Sequence, residues 1–349
     1  MSDVVVAVDA NGADLGPGEV AHGARIAVAR DAQLRVLLFG PAAECEHARG
    51  ERVQLVDAPV SIAKQADPAR AVRSTPAASI VCAAKAVGAG KADALVCGGS
   101  TGAALAAGLF HVKRARGIYR PALAVPVPVP GAPVTLLDVG ANADVRVEHL
   151  VQFAFMGAAF ARGVLGVENP RVALLSNGSE PDRGSTRVVE AHRQLSAAQG
   201  LAFVGNVEGD GLTSGVADVV VSDGFTGNIA LKLIEGVSQT ILGAVREAAL
   251  SSPRSRLGGA LLRPALRSFR ASVEPERQGG AYLLGLRRLG VVAHGRFGRE
   301  GIAEAILRGA RGSREDVVGR TAAALEQGGA MRARPAGEPS EQRGTVIDP

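Results

Sequence analysis

Small polar residues gather at four glycine-rich breaks in the chain. Asp9 and Gly12 stand in VVVAVDANGAD (4–14), and Ser100, Thr101 and Gly102 in ALVCGGSTGAAL (94–105). Asp138 and Asn142 stand in TLLDVGANAD (135–144), and Asp223, Gly224, Gly227 and Asn228 in VVVSDGFTGNIALK (219–232). Each break follows an apolar, β-branched run and opens helix-like sequence. Glycine lets a backbone approach a phosphate closely, and free N–H groups at the positive end of a helix hold an anion without a Lys. The chemistry this spacing suits is work on an anion. Lys232, four residues beyond Asn228, would set a cation one helical turn further on. His294, followed by Gly295, is a candidate proton donor that titrates near neutrality.

A second chemistry fits some of the same residues. Gly98-Gly99-Ser100-Thr101-Gly102 satisfies G-x-S-x-G between a strand and a helix, and Asp223 and His294 follow in the Ser, Asp, His order of α/β-hydrolases. That pattern predicts a serine hydrolase or thioesterase with an acyl-enzyme at Ser100; its bland counterpart is a phosphate-cradling turn with a helix N-cap. Asp9, Asp138 and Asp223 could likewise cap helices or tie down turns. No HGGG-type oxyanion segment, Walker A sequence, G-x-G-x-x-G or H-E-x-x-H motif is present. Cys45, Cys82 and Cys97 lack metal-ligand spacing, so neither a metal nor a cofactor is expected, and Cys97 reads as a small buried strand-end residue.

The elements that must carry these residues alternate. Helical period runs over 17–30, strand pattern over 34–39, helix near Glu44, and strand over 53–56. Helix at 79–88 leads into the strand at Ala94, and helix at 102–111 leads out of it. The pattern resumes with helix 148–162, strand 171–176, helix 187–198, and strands 202–204 and 217–221. This order predicts an α/β fold: a mostly parallel sheet, right-handed crossovers and helices on both faces, with ligands held at the C-terminal ends of the strands. The stretch PALAVPVPVPGAPVTLL (121–137), interrupted by Pro126, Pro128, Pro130 and Pro133, reads as edge strand and turn. One α/β domain, or two intimately joined lobes, would occupy 1–330, and the Pro-, Gly- and Glu-containing 331–349 reads as a disordered tail.

With 349 residues and 47% hydrophobic content, the chain can bury a large core. A net charge of +5 and 3% aromatics argue against a nucleic-acid partner. No basic n-region precedes an apolar core and no stretch reads as a membrane span, so a reducing cytoplasm is the expected compartment.

The blocks AVDANGAD (7–14), ADALVCGGSTGAALAAGLF (92–110) with RPALA (120–124), LLDVGANADVRVEHLVQFAFMG (136–157), NPRVALL (169–175), FVGNVEGDGLTSGVADVVVSDGFTGNIALKLIEGV (203–237) and GGAYLLGLRRLGVVAHG (279–295) resemble the bacterial phosphate acyltransferase (PlsX) family, in family order. The resemblance implies a fold like that of isopropylmalate dehydrogenases and phosphotransacetylases, and a homodimer. It implies transfer of a long-chain fatty acyl group from acyl carrier protein to inorganic phosphate, giving an acyl phosphate for phospholipid synthesis by a downstream glycerol-3-phosphate acyltransferase. It also implies peripheral association with an anionic membrane surface, and it adds Asn206, in NVEG, to the substrate-binding set. Departures fall inside the motifs. Ala10-Asn11-Gly12-Ala13-Asp14 stands where the family reads AMGGD, and Cys97-Gly98-Gly99-Ser100-Thr101-Gly102-Ala103 where it reads SAGNTGA. Arg73 is followed by Ser74-Thr75-Pro76 in place of a basic run, and Ser179-Glu180 replaces an acidic pair.

For that reaction, Ser100, Thr101 and neighbouring N–H groups would bind phosphate. Asn228 or the amides of 224–228 would face the developing oxyanion, Asp223 would orient a donor or the phosphate, Lys232 would supply charge, and His294 would protonate the departing thiol. The segment RSRLGGALLRPALRSFR (254–270) carries five Arg and no acid among interleaved Leu, the composition of a basic amphipathic surface for membrane or an acidic carrier protein. A non-catalytic carrier-protein or membrane adaptor would keep that segment alone; the intact DGFTGN block argues against it.

Overall fold

The structure, a computed structural model, describes residues 3–127, 129, 133–272 and 279–332, without the side chains of 266–272. Strands β1 (Val4–Asp9), β2 (Leu34–Gly40) and β3 (Val53–Asp57) are joined by α1 (Pro17–Arg30), which opens with a proline at its first turn, and by the short α2 (Ala42–Cys45). Helices α3 (Pro68–Ser74) and α4 (Ser79–Gly88) lead into β4 (Ala94–Cys97), and α5 (Thr101–Ala107) continues through a π-helical turn at Gly108–Val112. After β5 (Ala122–Val127) and β6 (Val134–Leu137), α6 (Val147–Phe160) is apolar on all sides and accordingly buried. Next come β7 (Arg171–Leu175), α7 (Thr186–Ser196), β8 (Ala202–Val207) and β9 (Val219–Val221). The long α8 (Gly224–Leu250) and α9 (Pro253–Ser272, with Pro264 inside it) precede β10 (Ala281–Leu284), β11 (Leu289–Val292), α10 (Arg299–Arg314) and α11 (Val317–Gln327).

Among the described residues eleven strands form one sheet in the order β3-β2-β1-β4-β11-β10-β5-β6-β9-β7-β8. Most neighbours are parallel, but β10 runs antiparallel to both β11 and β5, and β5 antiparallel to β6. The consequence is geometric. β1, β4 and β11 point one way, and β6 and β9 point the other. The four glycine-rich junctions therefore do not share an edge: those after β1 and β4 lie at one edge of the sheet, and those after β6 and β9 at the opposite one.

The proline-rich stretch is central, where an edge strand was expected. β5 is paired to β10 only at Ala122–Ala124, so Pro126, opposite Thr135 of β6, falls beyond that ladder and costs it no hydrogen bond. Pro128 and Pro130 lie outside the described residues.

Two further departures concern the later segments. Beyond its first turns α8 leaves the body: apart from Ala230, Leu231 and Ile234, which pack on the core, most of its residues are exposed, and α9 folds back against it. The chain also stays packed past residue 330. Gln152 donates through Nε2 to the carbonyls of Ala330 (2.8 Å) and Gly117 (2.7 Å), Arg332 N–H donates to Gly117 O, and Met331 packs on the core. The rest of the expected tail, 333–349, lies outside the described residues.

Candidate active site

At the first edge three strand ends converge. The Gly98 N–H donates to Asp9 O (3.2 Å), Ala293 N–H to Cys97 O (2.9 Å) and Asp14 N–H to Gly295 O (2.8 Å), which ties the loops after β1, β4 and β11 into one surface. Gly12 turns there with φ +109°, a conformation that favours glycine, and it faces Ala63 and Ser100. Ser100 is the N-cap of α5; its Oγ accepts from Ala103 N–H (3.4 Å) and donates to the Ala63 carbonyl (3.1 Å). Among the described residues no acceptor takes the N–H of Thr101 or Gly102, and the exposed Gly102 leaves this first turn open to solvent. Gly102 also lets α3 approach, with Pro68 against its Cα.

His294 follows β11 on the same surface. Its Nδ1 accepts from Arg296 N–H (3.3 Å), so the neutral ring carries its proton on Nε2. Burial lowers its pKa below the ordinary 6.5, and the charges of Arg296 and Lys232 lower it further against the opposing pull of Glu235 and Asp14. His294 thus stands within electrostatic reach of the third and fourth turns of α8, where Lys232 Nζ pairs with Glu235 Oε2 at 2.8 Å.

The junctions at the opposite edge form a joint. The Asp138 carboxylate, fully buried, accepts from the N–H groups of Leu123, Gly140, Ala141 and Asn142 and from Asn142 Nδ2, at 2.8–3.2 Å. Its pKa is nonetheless raised, because burial outweighs those bonds. Asn142 Nδ2 also donates to Pro121 O, and Asn142 O accepts the Gly224 N–H at 2.7 Å. Asp223 is the N-cap of α8: Oδ1 accepts the Phe225 and Thr226 N–H groups and Oδ2 accepts the Thr226 hydroxyl. The Gly227 N–H donates to Asp223 O. The amides of 224–227, expected to face an oxyanion, are therefore spent inside the protein, a result of the aspartate cap and the Asn142 carbonyl competing for them. A Cβ at Gly224 would stand 2.8 Å from Asn142 O, and Gly227 lies against the Asp138 carbonyl and Ser222 Oγ. The joint aims α8 back across the sheet toward His294.

Asp9, Asn206 and Asn228 are placed apart from one another. Asp9 is buried, accepts from Ser79 Oγ (2.5 Å), Asn11 N–H (3.2 Å) and Cys97 Sγ (3.6 Å), and burial pushes its pKa up to about 7. Cys97 is buried with its thiol pKa pushed up. Asn206 Oδ1 contacts His192 Nδ1 at 2.9 Å and its Nδ2 donates to Glu180 O, which ties β8 to α7 and the preceding loop. Asn228 is exposed on α8. The Ser-His-Asp arrangement is not assembled: Ser100 is bonded to Ala63, His294 Nδ1 to Arg296, and Asp223 to its own helix. Ser79, Glu235 and Arg296 escaped the sequence reading, since each matters through a partner that no local motif announces; Asn11 was singled out only as a departure from the family motif, not for its bond to Ser79. Among the described residues no cluster of His, Cys, Asp and Glu could hold a metal ion, and no helix is long and apolar enough to cross a membrane.

A family model described as "Fatty acid synthesis protein" matches residues 4–320. The chain is 44% identical over 313 residues to a phosphate acyltransferase of Lacticaseibacillus casei strain BL23, covering 88% of this chain and 91% of that one. It is 40% identical over 325 residues to a phosphate acyltransferase of Geobacillus thermodenitrificans strain NG80-2, covering 92% and 99%. A phosphotransacetylase from Streptococcus pyogenes shares the fold with a TM-score of 0.58 at 17% identity, over 88% of this chain and 93% of that one. A branched-chain phosphotransacylase from Enterococcus faecalis V583 does so with a TM-score of 0.54 at 16% identity, over 89% and 99%.

Proposed function

The chain belongs to the phosphate acyltransferase family, and we propose that it moves a long-chain fatty acyl group from acyl carrier protein to inorganic phosphate, with the first turn of α5 as the phosphate site. It is an acyltransferase. The observation that carries the site assignment is the contrast between the two helix starts: the amides of α8 are filled by Asp223 and Asn142, and those of Thr101 and Gly102 are open beside His294.

Phosphate dianion sits on the Thr101 and Gly102 N–H groups with the hydroxyls of Ser100 and Thr101 alongside. One of its oxygens attacks the thioester carbonyl carbon, and the carbonyl π pair moves to oxygen. Collapse of the tetrahedral intermediate breaks the C–S bond, giving acyl phosphate and the carrier thiol, which takes up the proton that phosphate brought. His294, neutral with Nε2–H outward, donates a hydrogen bond to the oxyanion or the departing sulfur. Lys232, released from Glu235 or sharing it, and Asn228 on the same face of α8 offset the accumulating negative charge. Asp138, Asn142, Asp223, Gly224 and Gly227 act by holding α8 in place; Asp9, Gly12 and Asn206 hold their loops. The acyl phosphate passes to glycerol-3-phosphate acyltransferase.

A second copy of the chain and a membrane surface belong to the same reading. Phe225, Ile229, Leu233, Val237, Ile241 and Val245 recur every four residues and are exposed, an apolar ridge of the kind that marks an interface. Leu257, Leu261 and Leu262 of α9 are exposed among Arg254, Arg256 and Arg263. Ile241→Asp should yield a monomer by light scattering, and replacing the three arginines by Ala should weaken binding to anionic vesicles. The deciding experiment measures free thiol released from long-chain acyl carrier protein with and without inorganic phosphate. Phosphate-dependent release with acyl phosphate formed supports the transferase; release that ignores phosphate and yields free fatty acid overturns it.

A further inference from the structure

A cleft of about 900 Å³ lies on the other side of α4 from the Asp9 network. Alternation along β2 builds it: Leu34, Val36 and Leu38 face the core beneath α1, and Arg35, Leu37 and Phe39 face the cleft. Helix α4 packs over β1 and β2 and stops short of the edge strand β3, whose Gln54 and Val56 continue the floor. The register makes the floor polar at one end and apolar at the other. Arg35 lies beside Val5, Leu37 beside Gln54, and Phe39 beside Val56. Lys91 stands at the end nearer Arg35; Lys85 of α4 reaches back to donate to Pro76 O (3.4 Å), the carbonyl that Cys82 Sγ also contacts, and Cys82 and Ala86 overhang the apolar part. Arg35 and Lys91 make no ion pair among the described residues, and Arg52 gives one N–H to Asp31 O. Among the described residues, Asp3 and Glu51 are the acids that line the cleft, against Arg35, Arg52, Lys85 and Lys91.

We propose that this cleft binds a single-chain anionic amphiphile, its carboxylate or phosphate head between Arg35 and Lys91 and its alkyl chain over Leu37 and Val56 toward Cys82. The head needs unpaired cations at a solvated rim and the chain needs an apolar trough, and the strand register supplies both in that order. Cys82 and Ala86 of α4 on one side and Gln54 and Val56 of the edge strand β3 on the other leave an apolar strip along Leu37 for one alkyl chain. The site is separate from the α5 turn and does not rest on the proposed reaction.

Cys82 is the half-exposed thiol of the three cysteines, Cys45 and Cys97 being buried, so it reports on the cleft in the unmodified full-length protein. The test is the rate of Cys82 modification by a maleimide with dodecyl phosphate, laurate or dodecanol added below their aggregation thresholds. At ten times its dissociation constant, a ligand leaves about one-tenth of the sites open, so the rate should fall about tenfold for a bound anion. Both dodecyl phosphate and laurate protecting would assign the class; one alone would assign the head group. Arg35→Glu with Lys91→Glu, both on exposed positions, should raise the concentration needed about tenfold, and Ala86→Trp should abolish protection by filling the trough. No protection by either anion, equal protection by dodecanol, or protection by acyl carrier protein in place of the amphiphiles would overturn the proposal.

Discussion

Gly227, in the first turn of α8, lies so close to Asp138 that no methyl group fits between its Cα and the Asp138 carbonyl oxygen. The contact joins the turn after β6 to the start of α8 and sets the direction in which the helix leaves the sheet. A Cβ there forces the helix away from the turn, with the Gly224–Asn142 bond beside it. Gly227→Ala should cost about 3 kcal/mol of stability, as overpacked sites do, and should lower kcat/KM by displacing Lys232 from His294. Gly236, two turns on with open space around it, is the internal control. Gly236→Ala should be neutral or stabilise by about 0.5–1 kcal/mol, as alanine does in a helix. Equal melting temperatures for the two variants would remove the joint.

His294 carries a pH prediction with a definite sign. Its pKa lies below 6.5 through burial and the Arg296 and Lys232 charges, so the ring is neutral at neutral pH. A reaction that uses neutral Nε2–H should show kcat/KM flat above 6.5 and falling only on acidification beneath it. Removing a like charge favours the protonated ring, so Lys232→Met should move that inflection upward and Glu235→Gln should move it downward. His294→Gln should lose the inflection and about 10²-fold in rate, the lower range for a proton donor because a thiol leaves readily. An inflection that persists in His294→Gln belongs to another group.

Ser100 separates the two chemistries. As a cap and phosphate contact it is helpful and replaceable: Ser100→Ala should cost about 1 kcal/mol of stability through the lost cap and should raise KM for phosphate, leaving kcat within about tenfold. As an acyl-enzyme nucleophile its loss should cost about 10⁶ in kcat. A fluorophosphonate should leave the protein unlabelled, and mass-spectrometric detection of an adduct on Ser100 would reverse the assignment.

The parts of this protein that rest on local pattern were readable in the chain. The helix over 17–30 begins and ends where the periodicity places it, and the strands at Leu34, Val53, Ala94 and Arg171 follow their apolar runs. Asp223 ahead of a helix was readable as a cap, though its competition for the same amides expected to bind an anion was not. Direction was the larger loss. Whether the β6 and β9 junctions share an edge with those of β1 and β4 depends on how the halves are joined: the two antiparallel pairings of β10, more than 140 residues after β6, cancel and leave β5 parallel to β11, so the β5–β6 pair supplies the reversal. The Ser79–Asp9 and Ser100–Ala63 bonds are likewise long-range, 70 and 37 residues apart in sequence, and no period of 2 or 3.6 encodes them.

Asp9 offers a stability test independent of catalysis. Burial raises its pKa from 3.8 to about 7, against the bonds from Ser79, Asn11 and Cys97 that favour the anion. A folded-state value above the unfolded one means that the protonated group favours folding, a contribution fully present below pH 3.8 and lost as pH rises through about 7. The rise corresponds to at most about 4 kcal/mol. Asp9→Asn keeps an acceptor for Ser79 and cannot ionise, so its unfolding free energy should fall less than that of the unsubstituted protein between pH 4.5 and pH 7.5 (chosen as roughly bracketing the titration). Cys97 does not interfere, because burial keeps its thiol protonated throughout that window. Urea unfolding at both pH values measures the difference; parallel pH dependences would show that Asp9 ionises normally, and the buried Ser79–Asp9 bond would then have to be far stronger than a neutral hydroxyl donor ordinarily makes.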